Sequence, residues 1–272
     1  MKKSRAGLLA AVLAATLVAT GCAGGADESS DAAAGAPQTL KVAAVMSPMT
    51  DVVEAAGEAI EDGYEIELVE VGDYITANTI LNSGDVYANF SQHIPYMETF
   101  NEANDGTLTG VQPVYNFVIA FYSKTLDDIA DLPEGATVAI PDDPSNTGRA
   151  LKLLAENDVI ALDPEVDPYA STVKDIVENP KDVEFLQVPI ASLNAAYEEA
   201  DLVFQWPSHI KALGLTPAED GLITELDPTH ALNVVVQQKD ADSAATEALK
   251  KAFTSDQVRE VIESNGTIET AW

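Results

Sequence analysis

The chain has one cysteine, Cys22, in 272 residues, so no disulfide can close within it. Basic residues are almost as scarce: 14 Lys+Arg stand against 45 Asp+Glu, a formal net charge of −31. Nucleic-acid binding is excluded on that ground, because phosphate contacts need a basic face. Arginine occurs only as Arg5, Arg149 and Arg259. The three histidines, His93, His209 and His230, lie far apart in sequence, with no pair at metal-ligand spacing, which argues against zinc. Neither Gly-x-Ser-x-Gly nor His-Glu-x-x-His occurs, and the carboxylates are scattered. The chain reads as a non-enzyme that needs no cofactor. No internal repeat is visible.

What is present begins with the leader. Lys2, Lys3 and Arg5 precede an apolar run over residues 6–18, then small residues Ala19, Thr20 and Gly21. The run is too short to span a bilayer comfortably and has the layout of a secretion signal. Cys22 directly after Ala-Thr-Gly resembles a lipobox, in which the sulfur takes a diacylglyceryl group and becomes the first mature residue. Ala19 stands where such boxes more often have Leu or Val. Loss of the leader's three cations takes the net charge from −31 to −34, a solubilising surface that says little about ligand. Residues 23–38 are rich in Ala, Gly, Ser and Asp, and cannot bury enough surface to offset their ordering entropy. They read as a flexible tether to a membrane face.

From Thr39 onward strand and helix patterns alternate. Residues 40–46 are an apolar strand, 50–61 carry apolar residues at helical spacing, and 64–71 (YEIELVEV) alternate strictly. Helices are expected at 75–81, 94–104, 147–156, 191–199, 243–253 and 255–263. Strands are expected at 86–90, 115–122, 136–140, 183–188, 202–205 and 232–237. This order predicts an α/β fold with mostly parallel sheets.

Three clusters fall at strand ends, where open α/β sheets bind ligands. The first, residues 89–96 (NFSQHIPY), holds His93 and Tyr96; His93 suits a base, a pocket wall or a helix cap. The second, residues 139–151 (AIPDDPSNTGRAL), predicts a helix capped by Ser145 or Asn146 with Gly148 and Arg149 in its first turn. An arginine there opposes the helix dipole unless an anion neutralises it: a ligand carboxylate, or Asp142 or Asp143. Arg259, among Asp256, Glu260 and Glu263, reads as a solvated ion-pair residue. The third, residues 204–209 (FQWPSH), precedes another helix. Asn233, in an otherwise apolar strand, either satisfies backbone at a crossover or offers its carbonyl to a ligand amine.

Taken in order, these clusters resemble the methionine-binding lipoproteins of ABC importers, the NlpA-like group. The resemblance runs from about Thr39 to the C-terminus. It rests on Gly72-Asp73-Tyr74, on Gln92-His93-Ile94-Pro95-Tyr96, and on the whole of 139–151. It continues through 175–181 (DIVENPK), Gly214-Leu215-Thr216-Pro217 and Asn233. It implies two lobes, residues 39–115 with 231–272 and residues 116–230, in a periplasmic-binding-protein-like fold. Two crossovers, near 114–117 and 228–232, would form the hinge. It implies a small amino acid, methionine or a related compound, held by Arg149 at its carboxylate, Asn233 at its polar end, and Tyr74, His93 and Tyr96 around its side chain. An ABC permease with its ATPase would be the partner. The chain departs from the group at Trp206-Pro207-Ser208-His209, where relatives have Asn-Gly-Asn-Tyr. Ser91 replaces an aromatic residue and Met49 a histidine. Trp206 can donate one hydrogen bond and accept none, so the ligand's amine loses a partner while the carboxylate end is intact. A different small carboxylate, a short peptide, or a surface lipoprotein with an adhesive or structural role are the alternatives.

Overall fold

A computed structural model describes residues 36–272. The leader, Cys22 and nearly all of the expected tether lie outside the described residues. The chain opens with strand β1 (Gln38–Ala44), helix α1 (Met49–Ala59), β2 (Tyr64–Glu70), α2 (Tyr74–Ser83), β3 (Ala88–His93) and α3 (Ile94–Asn104). The long strand β4 (Leu108–Tyr122) leads to β5 (Thr137–Pro141) and α4 (Pro144–Glu156). A small β6–β7 ladder follows (Ala161–Leu162 with Ile176–Glu178), then β8 (Glu184–Val188), α5 (Leu193–Ala196) and β9 (Leu202–Gln205). The chain ends with α6 (Pro207–Ile210), α7 (Pro217–Asp220), β10 (Ile223–Leu226), β11 (Leu232–Gln237), α8 (Ala244–Phe253), α9 (Asp256–Asn265) and β12 (Ile268–Thr270). Among the described residues no helix is long and apolar enough to cross a membrane.

The strands run β2-β1-β3-β11-β4-β9-β5-β8, with β10 and β12 also on β4. The flanks are parallel: β1 with β2 and β3, and β5 with β8 and β9. Antiparallel pairs gather on β4. Its first part pairs β11 and β12, and its last five residues pair β10 and β9. The strand starts at Leu108 rather than at Tyr115 because its two breakers are accommodated. Gly110 and Pro113 sit opposite Val235 and Asn233, where the β11 register shifts.

Local chemistry sets the ends that matter for a site. Asp73 caps α2 by accepting from the Thr76 N–H (2.7 Å), which places Tyr74 at the first helical position. His93 ends β3 and caps α3, its Nδ1 accepting from the Tyr96 N–H at 3.2 Å. The cap of α4 is Asp143 rather than Ser145 or Asn146, with Pro144 at the first helical position. Arg149 therefore stands in the second turn, beyond the strongest reach of the helix dipole. The helix expected at 191–199 is confined to Leu193–Ala196 between tighter turns. Glu198, Glu199 and Asp201 crowd the negative end of that segment and oppose its extension.

Candidate functional site: an aromatic cavity with a charged cluster behind its wall

Tyr74, His93, Tyr96 and Trp206 line one cavity, together with Met49, Gln92, Phe117, Asn146, Ile190 and Leu232. The walls are mostly apolar and aromatic. Ser91, another departure from the group's pattern, also lines it. Gln92 is fixed from behind by Asn78 and Asn89 in a buried amide cluster, Asn78 Nδ2 donating to Gln92 Oε1 at 2.7 Å.

Two hydrogen bonds join the 74–96 wall to later segments. The Tyr74 hydroxyl meets His209 Nε2 at 2.8 Å. His93 Nε2 donates to Asn146 Oδ1 at 3.0 Å, while Asn146 Nδ2 donates to both oxygens of Asp143. His93 thus donates from Nε2 and accepts at Nδ1, which assigns the neutral tautomer. Burial, followed by the neighbouring His230 and Arg149, holds its pKa well below the usual value.

Behind His93 and Asn146 lies a charged cluster. Arg149, 1% exposed, donates from Nε to Glu225 Oε2 at 2.9 Å. Neither Asp142 nor Asp143 is its counter-ion. Burial pushes the Arg149 pKa down and that of Glu225 up, and their mutual attraction opposes both. Asp227 accepts from Tyr169 and from His230 Nδ1 (3.0 Å) on one oxygen, and from the Thr229 N–H and hydroxyl on the other. Burial alone would raise its pKa, but these donors hold it below the carboxylate range. Glu225, Asp227 and His230 have polar atoms within 4.8 Å of one another, the spacing of a metal cradle. Yet both Asp227 oxygens are already engaged by hydrogen-bond donors and Arg149 occupies one oxygen of Glu225, which leaves too few free ligand oxygens for a metal ion.

Asn233 is buried and donates to the Ala231 carbonyl (2.9 Å), bracing the turn into β11. It is not among the cavity's lining residues, and neither is Arg149. The sequence reading missed Asn146 as a lining group, and Glu225, Asp227, His230 and Tyr169 behind it. Asn146 lies within the 139–151 motif. The two acids could not be told from the chain's other carboxylates, because only contact with Arg149 and His230 distinguishes them.

Residues 40–271 match the model of the NlpA lipoprotein family. The chain belongs to that family. Among NlpA relatives, the D-methionine-binding lipoprotein MetQ of Escherichia coli is 31% identical over 243 residues, covering 87% of this chain and 89% of its own. A nutrient-binding protein from Burkholderia cenocepacia bound to methionine superposes with TM-score 0.81 at 30% identity, over 86% of this chain and all of that one. An ABC-transporter periplasmic substrate-binding protein from Coxiella burnetii gives TM-score 0.80 at 27% identity, over 85% and 99%. The NlpA membership fits the α/β fold described above.

Proposed function

We propose that this protein is the lipid-anchored substrate-binding component of an ABC importer and that it captures methionine or a close derivative. The observation that carries the ligand class is the pairing of an apolar, aromatic cavity with a buried arginine and carboxylates behind its His93–Asn146 wall. Met49, Phe117, Tyr74, Tyr96 and Trp206 suit a flexible thioether side chain, since aromatic rings attract sulfur. Arg149 suits a carboxylate: Glu225 occupies only its Nε, leaving the other face of the guanidinium fork for a second anion.

Two lobes, residues 39–115 with 231–272 and residues 116–230, would close on the ligand. In support, Tyr74, His93, Tyr96 and Leu232 in the cavity come from one proposed lobe, and Phe117, Asn146, Ile190 and Trp206 from the other. The Tyr74–His209 and His93–Asn146 hydrogen bonds join the two. Cys22 would carry the lipid that holds the protein at the extracytoplasmic face, beside the permease and its ATPase.

Thermal unfolding against the amino acids, D-methionine and methionine dipeptides tests the reading. A ligand present at 100 times its Kd stabilises by about 2.7 kcal/mol, so a true ligand raises Tm by several degrees. Stabilisation by methionine or a methionine derivative supports the proposal; a panel without effect removes it.

A further inference from the structure

Three buried polar atoms in the charged cluster have no hydrogen-bond partner among the described residues: Arg149 Nη2, Glu225 Oε1 and His230 Nε2. His230 is 2% exposed. Its Nδ1 faces the Asp227 carboxylate at 3.0 Å and therefore carries the ring proton. Its Nε2 is then an acceptor with nothing to accept from. Glu225 Oε1 is a second unused acceptor and Arg149 Nη2 an unused donor, on side chains already joined at 2.9 Å. Buried polar atoms are nearly always satisfied, so three together point to a polar guest.

Their arrangement states the guest's chemistry. A donor of positive charge beside two acceptors complements a carboxylate and an ammonium carried on adjacent atoms. The cluster adjoins the cavity wall: the His230 ring stands 4.7 Å from that of His93, edge to face, and Arg149 is one helical turn along α4 from Asn146. Glu225 pairs with Ile119 on β4 and so shares a sheet face with Phe117, a lining residue. Two residues beyond His230, Leu232 lines the cavity.

We infer that Glu225 and His230 form an ammonium subsite beside Arg149, so that this protein selects a zwitterionic α-amino acid rather than a carboxylate in general. The inference rests on the proposed amino-acid site and adds residues to it. It also answers the departure at Trp206: the acceptor lost with an amide at that position is supplied from β10 and the turn before β11. Asp227 is a positioning residue that fixes the tautomer of His230.

Calorimetry with L-methionine and its deaminated analogue, 4-(methylthio)butanoate, tests it on wild type, His230→Phe and Glu225→Gln. Phenylalanine keeps the ring packing against His93 and Tyr169, and glutamine keeps the shape of Glu225 while removing its charge. The subsite requires that each variant weaken L-methionine relative to the analogue by about ten-fold or more, the worth of a buried hydrogen bond to a charged group; Glu225 also pairs with Arg149, so the ratio of the two ligands, not the analogue's own affinity, is the readout. Equal losses for both ligands, or none for L-methionine, overturn the subsite. If wild type ignores methionine but binds another amino acid, only the ligand's identity falls, and that amino acid and its deaminated form decide the subsite by the same comparison. If wild type binds carboxylates and amino acids equally, the subsite is wrong while the importer reading stands.

Discussion

Arg149 and Glu225, 76 positions apart, form a buried ion pair at 2.9 Å with side chains 1% and 10% exposed. The pair joins α4 to β10 behind the cavity wall that His93 and Asn146 form, and keeps a lone guanidinium from being buried without a counter-charge.

Arg149→Ala is expected to weaken methionine binding at least ten-fold, since truncating one partner of a buried charged contact costs about 2–5 kcal/mol. It also strands Glu225, so the variant is expected to fold with a lower Tm. The double variant Arg149→Met, Glu225→Leu recovers stability but not affinity. Calorimetry and thermal unfolding read the two effects separately; unchanged affinity in Arg149→Ala removes the carboxylate assignment.

Trp206→Asn restores an amide where the ring now offers only a donor, and is expected to strengthen L-methionine by about ten-fold. Binding of 4-(methylthio)butanoate should change little. Nanomolar binding of methionine by wild type with no gain in the variant would mean that the indole substitutes fully for the amide, through a cation–π contact of ~0.5–2 kcal/mol.

Gly148→Ala is expected to destabilise. In most helix interiors this exchange gains about 1 kcal/mol. Here a Cβ would stand 2.2 Å from the Tyr169 carbonyl oxygen, which is backbone and cannot swing aside. Overpacking of this kind costs about 1–3 kcal/mol, read as a Tm several degrees below wild type. A rise in Tm would show that the 168–170 turn yields freely.

Burial pushes the His209 pKa down to about 4 from its ordinary 6.5. Between those values the unfolded chain holds more protons than the native one, so stability rises with pH across that window. Tm should fall as pH drops from 6.5 toward 4, each unit of depression being worth about 1.4 kcal/mol. His230, also pushed down to about 4 by burial and then by Arg149, acts in the same sense. His209→Gln keeps a partner for Tyr74 and should flatten part of the fall; an identical slope in the variant refutes the contribution of His209.

Closure of the proposed lobes predicts a smaller radius of gyration with ligand than without. Small-angle scattering at saturating methionine measures it directly. Superposable profiles would rule out a hinge of that size.

Much of this was legible in the sequence because it is local. The alternation in 64–71 reappears as β2, and helix 94–104 coincides with α3. Of the six ligand-binding residues expected from the family resemblance, Tyr74, His93, Tyr96 and Trp206 line one cavity, while Arg149 and Asn233 do not. The position of Asp143 as the α4 cap was less legible, since several neighbouring residues have side chains able to cap. Pro144 settles it by fitting only the first turn.

The sequence by itself determined the net charge, the absence of an internal disulfide, most of the strand and helix order (though not β6, β7, β10 or β12) and the family motif, all properties of short segments or of composition. Only the tertiary structure decided which anion Arg149 meets. It also gave Asp227 and His230 a shared proton geometry and brought both behind His93. Such pairings depend on bringing α4, β10 and the turn before β11 together, and sequence periodicity carries no information about distances between segments so far apart.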